Sequence, residues 1–319
     1  MPILDDSHDF GHPIEASPDW SESYYFNGFD PDLALGFFAR IAVRPNAPSV
    51  DGFISLFLPG GDGVRLSASA EGVACDTGVP AVGGLSFERV EPMQRWRVLG
   101  DGVSDEGRRV AVELVFGALI PPIGVDARGR RVDAGSGTAV VNSMGAGHFE
   151  QSGAWSGWVA VDGVRRAFKG RGNRDKSWGA RRTDNDTGMH YWRWFSMNFG
   201  DEVHLGGIRV GTGDSAMQRG WLYKHGEFLS LRGMEVSTGL AADGLTQREV
   251  TLVATDKQGG RHRFTGEVLQ VMPLLAKGHE AMTILEGLTR WRHEGLTGHG
   301  ICEYAHHLDA RGRPLVAIA

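Results

Sequence analysis

The sequence predicts an all-β protein, and three observations carry that prediction. Forty-seven of its 319 residues are glycine, with no collagen-like period, about twice the usual share of roughly 7%. Apolar residues recur with a period of two between pairs such as Asp-Gly and Gly-Gly, the punctuation of short strands joined by tight turns. No strand candidate leads into a long amphipathic helix, and no Gly-x-Gly-x-x-Gly run opens one, so neither a parallel α/β sheet nor a dinucleotide site is expected. The length suits two sandwich or barrel domains. The polar, Gly-rich stretch near residues 165–185 is the natural boundary, dividing the chain into residues 1–169 and 170–319.

Along the chain, Phe37, Ala39, Ile41 and Val43 alternate onto one face of a strand ending at Arg44-Pro45-Asn46. Phe53, Ser55 and Phe57 then lead into the turn Pro59-Gly60-Gly61-Asp62-Gly63. Further turns are expected at Asp101-Gly102, Asp162-Gly163, Gly200-Asp201, Gly213-Asp214, His225-Gly226, Asp243-Gly244, Gly259-Gly260 and Arg311-Gly312. Short helices are expected only at Asp30–Leu35 and at Gly278–Leu288, where the apolar pattern fits either period.

A net charge of -6 argues against a nucleic-acid or anionic-membrane partner. The basic runs Arg128, Arg130, Arg131 and Arg165, Arg166 are short and read as solvated turns. Cys75 and Cys302 lie far apart without a CxxC or His-rich setting, which suits two free thiols in a cytoplasmic chain. The N-terminus is acidic where a signal peptide needs positive charge, and no run of 18 apolar residues is present to span a membrane as a helix. Whether the chain forms a homodimer is left open.

Four segments concentrate residues that can carry chemistry. His148, Glu150 and Ser152 alternate with Phe149 and Gln151, so one strand face presents an imidazole beside a carboxylate, or simply a polar face to water. The run from Gly170 to Gly179 places Arg174, Asp175 and Lys176 near Trp178, as an ion-paired network that forms a pocket floor or ties two domains together. His190, Trp192, Trp194, Ser196 and Asn198 share one face of a strand, with Tyr191, Arg193, Phe195, Met197 and Phe199 on the other. Such aromatic walls suit a cavity for an apolar ligand or a packed core. In Gly298–His307, His299, Glu303 and His307 fall on one face and Tyr304 with His306 on the other; Glu303 is a general-acid candidate or an ion-pair partner. The HExxH, CxxC, nucleophile-elbow and phosphate-loop patterns are missing, so no metal and no cofactor is expected.

Gly170-Arg171-Gly172 followed by Arg174-Asp175-Lys176-Ser177-Trp178-Gly179-Ala180-Arg181 resembles the Asp-x-x-Trp-Gly signature of the carotenoid 1,2-hydratase (hydroxyneurosporene synthase) superfamily, in its bacterial branch. Tyr24–Asp30, Arg40–Asn46, His148–Gln151 and Gly298–Tyr304 are also similar, so the likeness touches most of the chain. The resemblance implies two tandem lipocalin-like domains, a ligand cavity, and members that add water across isoprenoid double bonds by proton transfer. The family's Asp and Trp fall on Asp175 and Trp178, whereas its next His falls on Lys176, so the proton donor is sought among His190, Glu150 and Glu303.

The expected function is a cofactor-independent lyase, hydratase or isomerase acting by proton transfer on a hydrophobic alkene, terpenoid or aromatic small molecule. Asp175, His190, Glu303, Glu150 and His148 are the catalytic candidates, and Trp178, Trp192, Trp194, Tyr304, Lys176 and Tyr25 the substrate-binding ones. The alternative is a non-catalytic carrier or sensor of an apolar small molecule, as suits a lipocalin-like barrel.

Overall fold

A computed structural model describes residues 4–74, 76–126, 145–180, 189–211, 216–274 and 282–318. It is almost entirely β, as the alternation predicts, and the chain divides into two compact units, Met1–Arg182 and Thr183–Ala319.

The first unit contains β1 (Trp20–Asp30), β2 (Leu35–Arg44), β3 (Ser49–Phe57), β4 (Gly63–Glu71), β5 (Ala81–Val82), β6 (Leu85–Glu91), β7 (Arg95–Val103), β8 (Arg109–Ala118), β9 (Ile123–Asp126), β10 (Gly147–Val161) and β11 (Val164–Ala180). They form one antiparallel sheet in the order β4-β3-β2-β1-β11-β10-β8-β7-β6-β5, with β9 paired to the start of β10. The sheet curls around a core that includes Phe26, Phe37, Ile54, Trp96, Phe116 and Trp155. β1, β2 and β3 are buried almost throughout on both faces, polar residues such as Glu22, Asn27 and Ser55 included, whereas β7 and β8 alternate.

The second unit is a closed barrel of eight strands in sequence order: β12 (Tyr191–Phe199), β13 (Val203–Gly211), β14 (Ala216–Lys224), β15 (Glu227–Leu240), β16 (Gln247–Asp256), β17 (Arg261–Pro273), β18 (Met282–His293) and β19 (Leu296–His307). β19 pairs back onto β12, so no strand edge is left unpaired around the barrel. Its interior is lined by Phe195, Met197, Leu205, Leu252, Phe264, Trp291, Cys302 and Tyr304, among others.

Four expectations are corrected. Residues 170–180, assigned by sequence to the head of the second domain, are the second half of β11 and pair with β1 and β10 inside the first unit. Their polar character reflects buried partners rather than a linker. The helix expected at Asp30–Leu35 is a turn between β1 and β2, and Met282–Leu288 is strand, with residues 278–281 outside the described residues; β pairing overrides an ambiguous local pattern. Asp101-Gly102 lies within β7 rather than in a turn. Among the described residues the one helical element is a 3-10 turn at Asp6–Asp9, capped by Asp5. Gly213-Asp214, Cys75, Arg128, Arg130 and Arg131 lie outside the described residues.

Two hairpins show the turn chemistry directly. Asp162 and Gly163 (φ 51° and 81°) join β10 to β11, and His225 with Gly226 (φ 51° and 91°) join β14 to β15. Positive φ at both central residues matches the twist of the flanking strands. The register that Asp162-Gly163 starts continues unbroken to Glu150 opposite Asp175.

Candidate functional site

β11 carries two different sets of polar residues on its two faces. Arg174, Lys176 and Trp178 point into the first unit, where the segment ahead of β1 lies against them. Arg174 pairs with Asp9 (Nη1 to Oδ1, 2.6 Å) and donates from Nε to Gln151 Oε1 at 2.7 Å. Asp9 Oδ2 also accepts from the Met93 N–H (2.7 Å) and the Trp96 indole (3.0 Å), so both of its oxygens are engaged. Lys176 Nζ lies 2.8 Å from Glu22 Oε1 and also donates to the carbonyls of His8 and Phe10. Glu22 accepts from the backbone N–H and the ring of His12, and that ring stacks on Trp178 at 3.7 Å with 5° between planes. Burial pulls the Lys176 pKa down to about 8, against the opposing pull of the Glu22 carboxylate. The arrangement anchors residues 8–12 to β11. It separates Arg174 and Lys176, each with its own carboxylate, from Asp175, which sequence reading had grouped with them near Trp178.

The glycines of the run fit this strand role. A Cβ on Gly172 would stand 1.9 Å from the Asn27 carbonyl oxygen, so the β1–β11 approach requires glycine there. Gly179 has φ 108°, a conformation L side chains rarely adopt.

The opposite face of β11 brings together four of the sequence candidates. The register sets Glu150 opposite Asp175 and His148 opposite Ser177, while Tyr25 of β1 lies opposite Asp175 on the other side. His148 Nε2 makes a short hydrogen bond with Asp175 Oδ2 and lies 3.9 Å from Glu150 Oε1. One imidazole therefore serves two carboxylates. The burial is graded: the His148 side chain is 35% exposed, Asp175 20% and Glu150 4%. An accessible ring backed by a buried carboxylate can take a proton from one partner and present it outward. Arg40, opposite Tyr25 on β2, is buried on this face too; it donates from Nε to Ser23 Oγ (2.9 Å) and contacts Asp51 at 3.3 Å.

In the second unit, Glu303 accepts a short hydrogen bond from the Trp192 indole and lies opposite Trp194 in the β12–β19 register. These three share a face, with both tryptophans buried. His190 precedes β12 and is held through its backbone, donating to Gly211 O and accepting from the His307 N–H, both at 2.9 Å. Tyr304 lies on the other face of β19, inside the barrel, with its hydroxyl 2.6 Å from Thr238 Oγ1. The structure thus does not set Tyr304 beside Trp192 and Trp194, nor Lys176 and Trp178 beside Asp175. In both cases neighbours in sequence point to opposite faces of a strand.

Asp9, His12 and Glu22, which fix the inner face of β11, were not singled out from sequence. Their partners on β11, Arg174, Lys176 and Trp178, lie more than a hundred residues away, and no local spacing reveals them. The donor atoms of His148, Glu150 and Asp175 all lie within 4.8 Å of one another, as do those of His262, His293 and Glu294. Either set offers the mixed imidazole and carboxylate donors that a divalent cation takes. In the second set, His262 already contacts Asp256 (2.9 Å) and Glu294 is paired with Lys224 (2.7 Å).

A family model described as Domain of unknown function (DUF7064) matches residues 5–308. Comparison with curated protein sequences gives no match. An AttH-like protein of Nitrosomonas europaea has the same fold, with a TM-score of 0.67 at 16% identity over 93% of this chain and 97% of that one. Kievitone hydratase from Nectria haematococca is similar over 89% of this chain and 88% of that one (TM-score 0.61, 11% identity). CghA with Sch210972 is similar over 93% and 94% (TM-score 0.61, 12% identity). The chain thus shares the fold of these three proteins.

Proposed function

We propose that this chain, which belongs to the DUF7064 family, is a lyase of the hydratase type that moves a proton to or from a carbon–carbon double bond of a hydrophobic small molecule. The observation that carries the reading is the His148 ring nitrogen Nε2, bonded to Asp175 and 3.9 Å from Glu150, on one face of β10 and β11. A fold shared with an enzyme named as a hydratase supports it.

The chemistry balances with these groups alone. His148 as imidazolium donates its proton to one alkene carbon, and the π electrons form the new C–H bond, leaving a cation on the other carbon. A water oxygen then bonds to that cation while a carboxylate of the set takes the water's proton and returns it to the imidazole. The net change is addition of one water, and the reverse sequence is dehydration. Two carboxylates facing the same ring nitrogen hold the imidazole in one orientation. Tyr25 lies opposite Asp175, and in this reading its ring or hydroxyl orients the incoming molecule.

The test is turnover. Purified protein is incubated with a panel of isoprenoid alkenes and prenylated phenols, and products are sought by mass as a gain or loss of one water. His148→Ala and Asp175→Asn are each expected to reduce the rate at least a hundredfold while circular dichroism stays unchanged. Retention of a panel compound without any change in mass, in wild type and variants alike, would overturn the reading and favour a carrier.

A further inference from the structure

We propose that the barrel of the second unit is a binding site for a small organic carboxylate, with Arg193 as the group that holds it. This reading is independent of turnover at His148.

Arg193 lies inside the barrel, opposite Tyr304 on one side and Arg209 on the other. It is 3% exposed. Its guanidinium stands 5.1 Å from the Tyr304 ring centroid and 5.3 Å from that of Tyr191. Among the described residues it has no carboxylate partner, and its Nε is buried without a hydrogen bond. Arg209 adds a second positive charge, and its contacts are neutral oxygens: the Tyr191 hydroxyl at 3.2 Å and the Met234 carbonyl at 3.3 Å. Arg174, buried in the first unit, shows the contrast, since Asp9 neutralises it directly.

The surroundings point the same way. His306, fully buried, has both ring nitrogens without a hydrogen-bond partner among the described residues, and Gln247 Oε1 near Cys302 is likewise unsatisfied. Tyr191 links the set, contacting both arginines and stacking on His306 at 6.0 Å. Burial and the positive charge of Arg193 bring the His306 pKa down to about 3, so the ring is neutral and offers one N–H donor. A buried cation beside a half-buried one, with no carboxylate partner among the described residues and idle polar atoms nearby, carries a desolvation cost that an anionic guest removes. The planar guanidinium fork matches a carboxylate in geometry. Phe195, Met197, Leu252 and Phe264 make the rest of the interior apolar, which favours an acid with a hydrocarbon body over a fully hydrated inorganic anion.

The experiment titrates the full chain with octanoate, 1-octanol and inorganic phosphate by calorimetry, in wild type, Arg193→Met and Arg209→Gln. Octanoate is expected to bind wild type, at least tenfold more weakly to Arg193→Met and severalfold more weakly to Arg209→Gln. Without ligand, Arg193→Met is expected to melt higher than wild type, because it removes an uncompensated buried charge; a purely structural arginine would give a lower melting temperature. Octanol binding as tightly as octanoate, phosphate binding in preference to it, absence of octanoate binding, or equal affinity in all three proteins would each overturn the proposal.

Discussion

Removing the Asp9 carboxylate is the sharpest test of how the first unit holds β11 in place. Asp9 is fully buried and accepts three hydrogen bonds, from Arg174 Nη1 at 2.6 Å, the Met93 N–H at 2.7 Å and the Trp96 indole at 3.0 Å. Among the described residues, Asp9→Ala leaves the Arg174 charge with only Gln151 Oε1 (2.7 Å) and the Met93 sulfur (3.2 Å) as hydrogen-bond acceptors. Two further donors are orphaned. Breaking a buried ion pair from one side costs about 3–5 kcal/mol, and the orphaned donors, roughly 1–3 kcal/mol each, overlap with that figure. The expected loss is therefore about 3–5 kcal/mol, read by urea unfolding of the first unit through tryptophan fluorescence. Acid provides an internal check. Burial pushes the Asp9 pKa up, but the charge of Arg174 and the hydrogen bonds from Met93, Arg174 and Trp96 outweigh it, leaving the carboxyl below its usual value. A carboxylate with a depressed folded pKa contributes stability above its unfolded value, roughly 3.9, and loses it as the pH falls through the folded value. The gap between wild type and Asp9→Ala should narrow at acid pH. A loss under about 1 kcal/mol at neutral pH, or a gap that stays constant into strong acid, would refute the argument.

Two further predictions concern packing. Gly172→Ala would drive a Cβ to 1.9 Å from the Asn27 oxygen and 2.6 Å from the Gly28 Cα, both backbone atoms that cannot rotate away; a cost of at least about 1–3 kcal/mol is expected as a lower melting temperature. Cys302 is fully buried and burial pushes its thiol pKa up, so in a Cys75→Ser background a disulfide reagent should label it only after denaturation. Rapid labelling of the native protein would contradict the burial of this thiol.

Much of the architecture was legible because alternation and turn residues are local signals. Asp162-Gly163 is the clearest case: a two-residue turn there fixes the register of the whole hairpin, and counting outward from it already puts Glu150 opposite Asp175. His148 and Glu150 were legible from alternation within one strand. What stayed hidden depends on contacts distant in sequence. Arg174 finds Asp9 165 residues away, so its polarity, read locally, resembled a linker. Trp178 follows Asp175 by three residues, and in a strand an odd separation sends the two side chains to opposite faces. Arg193 was visible on the face of β12 shared by Phe195 and Met197, but nothing in the sequence shows that no acid faces it.

The central claim is that the His148, Asp175 and Glu150 set transfers a proton to carbon. Its most direct measurement is the mass of a panel alkene after incubation with the protein in deuterated water. The account predicts one deuterium on carbon in wild-type product and at least a hundredfold slower labelling with Asp175→Asn. Unlabelled alkene recovered from the wild type, or equal labelling by wild type and variant, would contradict it.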